Sequence, residues 1–282
     1  MLFRSNEDDG RSVRFETGPL SRRLELFGTP EVILDLASDV KQANIAVRLS
    51  DVAPDGAATR ITYGILNLSH RGGHARPEPM VPGRRTRVRV RLNDLGQAIP
   101  KGHRLRLAIQ NQFWFVLWPQ PELSMLTVPS GKSVLRLPVR PPSPRDGQVR
   151  FAPPEISPSL AVEELRPAVH AKTVSDDLAT GIRTIAMATD FGAWRISDRA
   201  IESSARSGET FTIAPDEPLS AKLVSEYAWT YRSGEADVAG SSRTELTADA
   251  QDFILTWRVE AREKEKPVFE ASATRRIRRD YC

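Results

Sequence analysis

Pro100-Lys101-Gly102-His103-Arg104-Leu105-Arg106-Leu107-Ala108-Ile109 reads as a turn feeding a strand. Leu105, Leu107 and Ile109 alternate with Arg104, Arg106 and Ala108, so a period of two sets an apolar face against a polar one. Just beyond it, Phe113-Trp114-Phe115-Val116-Leu117-Trp118-Pro119 supplies two Trp and two Phe. Pro119 and Pro121 end the run, because proline removes a backbone donor and fixes φ.

The same period recurs on both sides of this stretch. Val32, Leu34 and Leu36 define one strand, and Ile45, Val47 and Leu49 another. Ile61, Tyr63, Ile65 and Leu68 imply a third with a disturbed register. Val88, Val90 and Leu92 follow, and Leu135, Leu137 and Val139 close the series. Ala53-Pro54-Asp55-Gly56 joins the second strand to the third: proline presets the turn and glycine tolerates its exit. Residues 70–86, crowded with Gly and Pro, form a long loop. Short strands, turns and no long helical period predict an all-β fold, a sandwich or jelly roll.

Between Pro138 and Pro158 the chain reads PVRPPSPRDGQVRFAPPEISP. That proline density excludes a helix or a central strand and implies an extended linker. The expected organisation is a jelly-roll domain at 1–140, a linker at 141–158 and a second antiparallel β domain at 159–282. In the latter, Leu223, Ser225, Tyr227, Trp229 and Tyr231 share one strand face. Phe253, Leu255, Trp257 and Val259 share another, with shorter candidates at 182–189 and 209–214. Connections too short for parallel crossovers predict a meander. A helix over 221–231 fits propensity but not period.

Composition narrows the function classes. Of 282 residues, 40% are hydrophobic and 27% charged, as in a soluble chain with a core. No apolar run approaches the roughly 18 residues of a membrane helix. The acidic start, Met1 to Asp9, has no secretory pattern, and the one cysteine, Cys282, suits the cytoplasm. The sequence pI of 9.4 raises nucleic acid as a partner, yet net charge is only +4. Arg87, Arg89 and Arg91 alternate with Val88, Val90 and Leu92, which makes them one solvated strand face rather than a nucleic-acid stripe. The densest basic cluster, Arg275-Arg276-Ile277-Arg278-Arg279, lies at the C-terminus.

Motifs for chemistry are missing. Gly-x-Ser-x-Gly, whose glycines permit the strained turn that exposes a nucleophilic serine, does not occur. Gly131-Lys132-Ser133 and Gly240-Ser241-Ser242 lack the second glycine and read as turns. His70 and His74 have the spacing of a helical zinc pair, but Gly72, Gly73, Pro77 and Pro79 oppose a helix and no HExxH glutamate lies between. His103 reads as a structural residue at a strand start. Asp8-Asp9 and Asp176-Asp177 read as loop charge. No phosphate loop, dinucleotide fingerprint, EF-hand or CxxC is present, so no catalytic, cofactor or metal residue is assigned. Phe113, Trp114, Phe115 and Trp118 remain: either they fill a core at a strand end, or they form an interface patch. A sandwich takes alternate residues inward, so at least two should lie at its end, partly exposed.

Together these stretches resemble the β-sandwich that follows the catalytic domain in the cocaine esterase/X-Pro dipeptidyl-peptidase family of serine hydrolases. The likeness is carried by Pro100 to Ile109 and by Ala46-Val47-Arg48-Leu49-Ser50-Asp51-Val52-Ala53-Pro54-Asp55-Gly56. Thr62 to Arg71 and Pro77-Glu78-Pro79-Met80-Val81-Pro82-Gly83 extend it, covering residues 12–140. Beyond about 150, Val162 to Pro167, Asp177 to Gly181 and Ala214 to Ala221 resemble the extra β domain of longer members. The resemblance implies a galactose-binding-like jelly roll packed on an α/β-hydrolase domain that holds the Ser-His-Asp triad and cleaves esters, amides or X-Pro dipeptides. No triad residue carries over, which leaves enzyme activity of this chain open. The expected role is the non-catalytic C-terminal part, a fragment or separate partner, bracing the α/β-hydrolase domain and shaping its cleft. Rival readings are a stand-alone ligand- or carbohydrate-binding module and an enzyme with an unrecognised site; a homo-oligomer is left open.

Overall fold

The computed structural model describes residues 9–282; Asp8 and the residues before it lie outside them. Its strands are β1 (Val13–Glu16), β2 (Leu24–Gly28), β3 (Glu31–Ser38), β4 (Asn44–Val52), β5 (Ala58–Asn67), β6 (Thr86–Arg91), β7 (Leu95–Ile99), β8 (Arg104–Gln110), β9 (Leu126–Thr127) and β10 (Val134–Arg136). They are followed by β11 (Val162–Arg166), β12 (Val169–Asp176), β13 (Arg183–Ile196), β14 (Ile201–Ala214), β15 (Glu217–Ser233), β16 (Ala236–Ala248), β17 (Asp252–Glu263) and β18 (Lys266–Arg278). The chain is all-β, with every pairing antiparallel. It forms two compact units, Met1–Phe151 with Tyr281–Cys282, and Ala152–Asp280.

The first unit is a sandwich. One sheet runs β1-β8-β4-β5, the other β10-β3-β6 with β9 also on β3, and β2 pairs with β7. Val47 lies opposite Ile109 and Leu49 opposite Leu107 on the first sheet. Val32 lies opposite Val90 and Leu34 opposite Val88 on the second. These rows join one core, with Val32, Leu34, Val47 and Leu49 at 0% exposure. Each such side chain contributes about 1.5–3 kcal/mol by leaving water. Arg87, Arg89 and Arg91 point outward from β6 as the alternation requires.

The disturbed register of the third strand has a structural cause, and two local readings, of Asp9 and of Gly240-Ser241-Ser242, are corrected. On β5, Tyr63 lies opposite Arg48 and Ile65 opposite Ala46, so both face outward while Thr62 and Gly64 turn inward. A bulge between Leu49 and Ser50 shifts the register, and that shift is what disturbs the alternation. Asp9 is not loop charge: it is fully buried between Arg48 and Arg106, at 3.0 and 3.1 Å. Gly240-Ser241-Ser242 is no turn but the middle of β16, where small residues leave room for the Trp229 indole. Residues 221–231 are strand, not helix.

Within 138–158 the one regular helical element is a 3-10 turn, Pro144–Gln148, closed by a capping box between Ser143 and Asp146. The second unit is a single eight-stranded sheet. β13 to β18 form a meander in which each strand pairs with the next, and β11 and β12 both pair with β13. Register separates its faces. Ala205, Trp229, Gly240, Ala261 and Phe269 are successive cross-strand partners on one face. Arg206, Ala228, Ser241, Glu260 and Glu270 are partners on the other.

Candidate docking interface

The aromatic stretch leaves β8 and does not continue as a strand. It turns back on itself, with the Leu117 N–H donating to the Phe113 carbonyl at 2.8 Å. Phe113 is the member the structure removes from the candidate surface: it is 6% exposed. Its ring meets Tyr63 edge to face, with centroids 5.7 Å apart, and lies under the Arg48 guanidinium at 5.3 Å. The outward turn of Tyr63 and Arg48 supplies this cover, so Phe113 seals the outer face of the β1-β8-β4-β5 sheet.

Trp114, Phe115 and Trp118 are half-buried, and Val116 is exposed. The two indoles pack edge to face at 5.5 Å. Behind them, Asn44 Nδ2 donates to the Trp118 carbonyl at 3.2 Å. Gln120 Nε2 donates to Asn44 Oδ1 at 3.0 Å. Asn44, Pro119 and Gln120 are buried, and Asn111 holds the Ser124 carbonyl farther along. Buried amides and a buried proline therefore anchor a loop whose aromatic rings are partly covered, with the indole nitrogens of Trp114 and Trp118 turned out of water. Sequence reading missed this support, because Asn44 sits 76 residues from Gln120. It also missed Leu123 and Met125, 51% and 69% exposed on the same connection.

Beneath the loop the sheet's outer face carries charge out of water. Arg48 also donates to Ser12 Oγ at 2.9 Å, and Arg106 Nε donates to Glu16 Oε1 at 2.6 Å. The hydrogen bond from Arg106 holds the Glu16 carboxyl below its ordinary pKa. Buried charges persist only when paired in this way.

The remaining candidates are placed as follows. His103 Nδ1 lies 2.8 Å from Asp51 Oδ1, tying the start of β8 to the end of β4. His70 and His74 meet with their Nδ1 atoms 3.2 Å apart, and no set of three metal-binding side chains occurs among the described residues. Asp176 pairs with Arg183 at 2.7 Å, and Asp177 accepts from the Ala179 and Thr180 N–H groups. A groove of about 790 Å³ in the second unit is lined by Arg206, Arg232, Arg258 and Arg262 together with Trp229 and Phe269. Each of these arginines has a carboxylate partner. Among the described residues no helix is long and apolar enough to cross a membrane.

The family model described as X-Pro dipeptidyl-peptidase C-terminal non-catalytic domain matches residues 2–149. Among solved structures, an alpha-amino acid ester hydrolase is 20% identical, covering 49% of this chain and 27% of its own, with a TM-score of 0.47. An aminopeptidase from a marine sediment Thaumarchaeota archaeon is 21% identical over 43% of this chain and 21% of its own, TM-score 0.41. A CocE/NonD family hydrolase from Staphylococcus aureus is 15% identical over 50% and 32%, TM-score 0.40. The chain thus spans less than a third of the length of these proteins. No curated protein matches it.

Proposed function

Because this chain belongs to the X-Pro dipeptidyl-peptidase C-terminal non-catalytic domain family, we propose that it acts as the non-catalytic β-sandwich part of a cocaine esterase/X-Pro dipeptidyl-peptidase-like hydrolase. It docks on an α/β-hydrolase catalytic domain, braces it and walls part of its substrate cleft. One observation supports this reading: Trp114, Phe115 and Trp118 are half-buried, part of each ring reaching the surface, on a loop anchored by buried Phe113, Asn44 and Gln120. Rigid aromatics lose little entropy on association, and Trp is a common anchor.

The test is titration of the full chain against an α/β-hydrolase catalytic domain of this family from the same source. Trp114→Ala and Trp118→Ala should each weaken association by about 2 kcal/mol, with the far-ultraviolet spectrum unchanged. Absence of binding, or wild-type binding by both folded variants, overturns the reading. By itself the chain should not turn over p-nitrophenyl acetate or Gly-Pro-p-nitroanilide, since hydrolysis needs an activated nucleophile. Turnover blocked by a fluorophosphonate with one serine labelled would contradict this.

A further inference from the structure

In the first unit, apolar strand faces meet across the sandwich and their side chains reach 0–1% exposure at Val32, Leu34, Val47 and Val90. The second unit is a single sheet, one face of which carries large apolar side chains set among small polar ones. Register places Trp194, Tyr227, Trp229, Trp257, Val259 and Phe269 on it. Among the described large apolar side chains of this face, Ile185 alone is buried to core level, at 5%, whereas Trp229, Tyr227 and Phe269 are 38%, 43% and 54% exposed. An amphipathic sheet of this kind is stable when its apolar face meets another apolar layer.

We propose that this face packs against the same face of a second copy of the chain, forming a two-fold sheet-on-sheet dimer. Extent supports it. Six neighbouring strands of 12 to 17 residues, spaced by about 4.8 Å, offer on the order of 1,000 Å². A stable interface needs about 800 Å² per partner. The opposite face is the solvent face: Lys222 pairs with Glu245 at 2.8 Å and Arg258 with Glu270 at 3.0 Å. Edge-to-edge growth is blocked at β18, which starts with Lys266-Pro267 and ends with Arg275-Arg276-Ile277-Arg278.

The first unit offers no matching sheet face. One of its outer faces sets Glu31 and Asp35 against Arg91 and Arg87. The other carries the Asp9, Arg48 and Arg106 ion pairs beneath Phe113. The surface in this chain that matches the apolar face in size and chemistry is that face itself, as an isologous contact requires.

Sedimentation equilibrium of the full chain, from nanomolar to tens of micromolar, tests the dimer. The expected mass is twice 31.4 kDa at high concentration. Dissociation on dilution should red-shift tryptophan emission with the same midpoint, because Trp194, Trp229 and Trp257 leave the interface together. Trp229→Glu should weaken self-association by about a hundredfold or more, as two carboxylates would meet at the contact. Its folding is checked by an unchanged far-ultraviolet spectrum. A monomer at every concentration overturns the proposal. So does a folded Trp229→Glu chain that dimerises like wild type, or capture of the face by an added α/β-hydrolase domain in place of the second copy. Should Trp229→Glu unfold, the wild-type dilution decides: dissociation without the emission shift places the contact elsewhere and overturns it.

Discussion

Asp9 shows how one carboxylate can organise a surface. It is fully buried, and both its oxygens are used by guanidinium groups from β4 and β8. Asp9→Ala leaves Arg48 buried beside an empty position and should cost about 3–5 kcal/mol, read as a lowered urea midpoint. Replacing Asp9 and Arg48 together with Leu and Met should recover part of that loss, since the unpaired buried Arg48 charge is gone while Arg106 keeps only Glu16. The sequence could not reveal this role, because Arg48 and Arg106 stand 39 and 97 residues away. The outward arginines of β6 were legible, because alternation is a local property. Acid sensitivity also belongs to single residues. The Gln251 and Asp252 N–H groups and Arg276 hold Asp249 at about 2. At Asp190, loss of water pushes the pKa up, but Arg166, the Gly192 N–H and Arg206 outweigh it and bring it to about 2. Both folded values lie below the ordinary 3.8, so their stabilisation is complete above that value and lost as pH falls from 3.8 towards 2. Thermal melts should show the transition of the second unit dropping across this window, and Asp249→Asn should flatten the slope.

At the level of elements, legibility follows who carries the bulk of a cross-strand pair. The strands β15 and β17 announce themselves with Tyr227, Trp229, Trp257 and Val259. Between them, β16 places Gly240 opposite Trp229, Ser242 opposite Tyr227 and Val259, and Thr244 opposite Trp257. Small residues under large rings leave no apolar period to read, so β16 is invisible without its neighbours. The short β1, β2, β7 and β9 escape for another reason: strands of two to five residues are too brief for alternation to register. The docking loop was legible as an aromatic excess, but its division into a buried Phe113 and half-buried Trp114, Phe115 and Trp118 depends on Tyr63 turning outward after a bulge. Close approach of elements is testable at Gly64. A Cβ there would lie 2.3 Å from the Arg91 carbonyl oxygen, a backbone atom that cannot swing aside. Gly64→Ala should therefore cost about 1–3 kcal/mol, measurable as a lower denaturation midpoint without loss of the second unit's transition.

For the whole molecule, we propose that 141–158 is the linker between the two domains, at 1–140 and 159–282. Residues 144–158 are exposed throughout and belong to no strand, as their proline density requires. Limited trypsin digestion should cut first at Arg145 or Arg150 and leave two resistant fragments; first cleavage within β3 to β8 would refute this. The two units also differ in the sequence distance their pairings span. In the first, Val13 meets Ile109 and Ile33 meets Val134, so the sandwich closes only when distant segments find each other. In the second, β13 to β18 meet their neighbours across short turns. Loop-closure entropy is small for such hairpins and large for the sandwich. The meander can therefore assemble strand by strand, while the half of the chain that carries the docking loop must wait for its ends to be brought together. The sandwich should therefore be the slower half to fold, and Trp114 and Trp118, the tryptophans it contains, would record its late arrival.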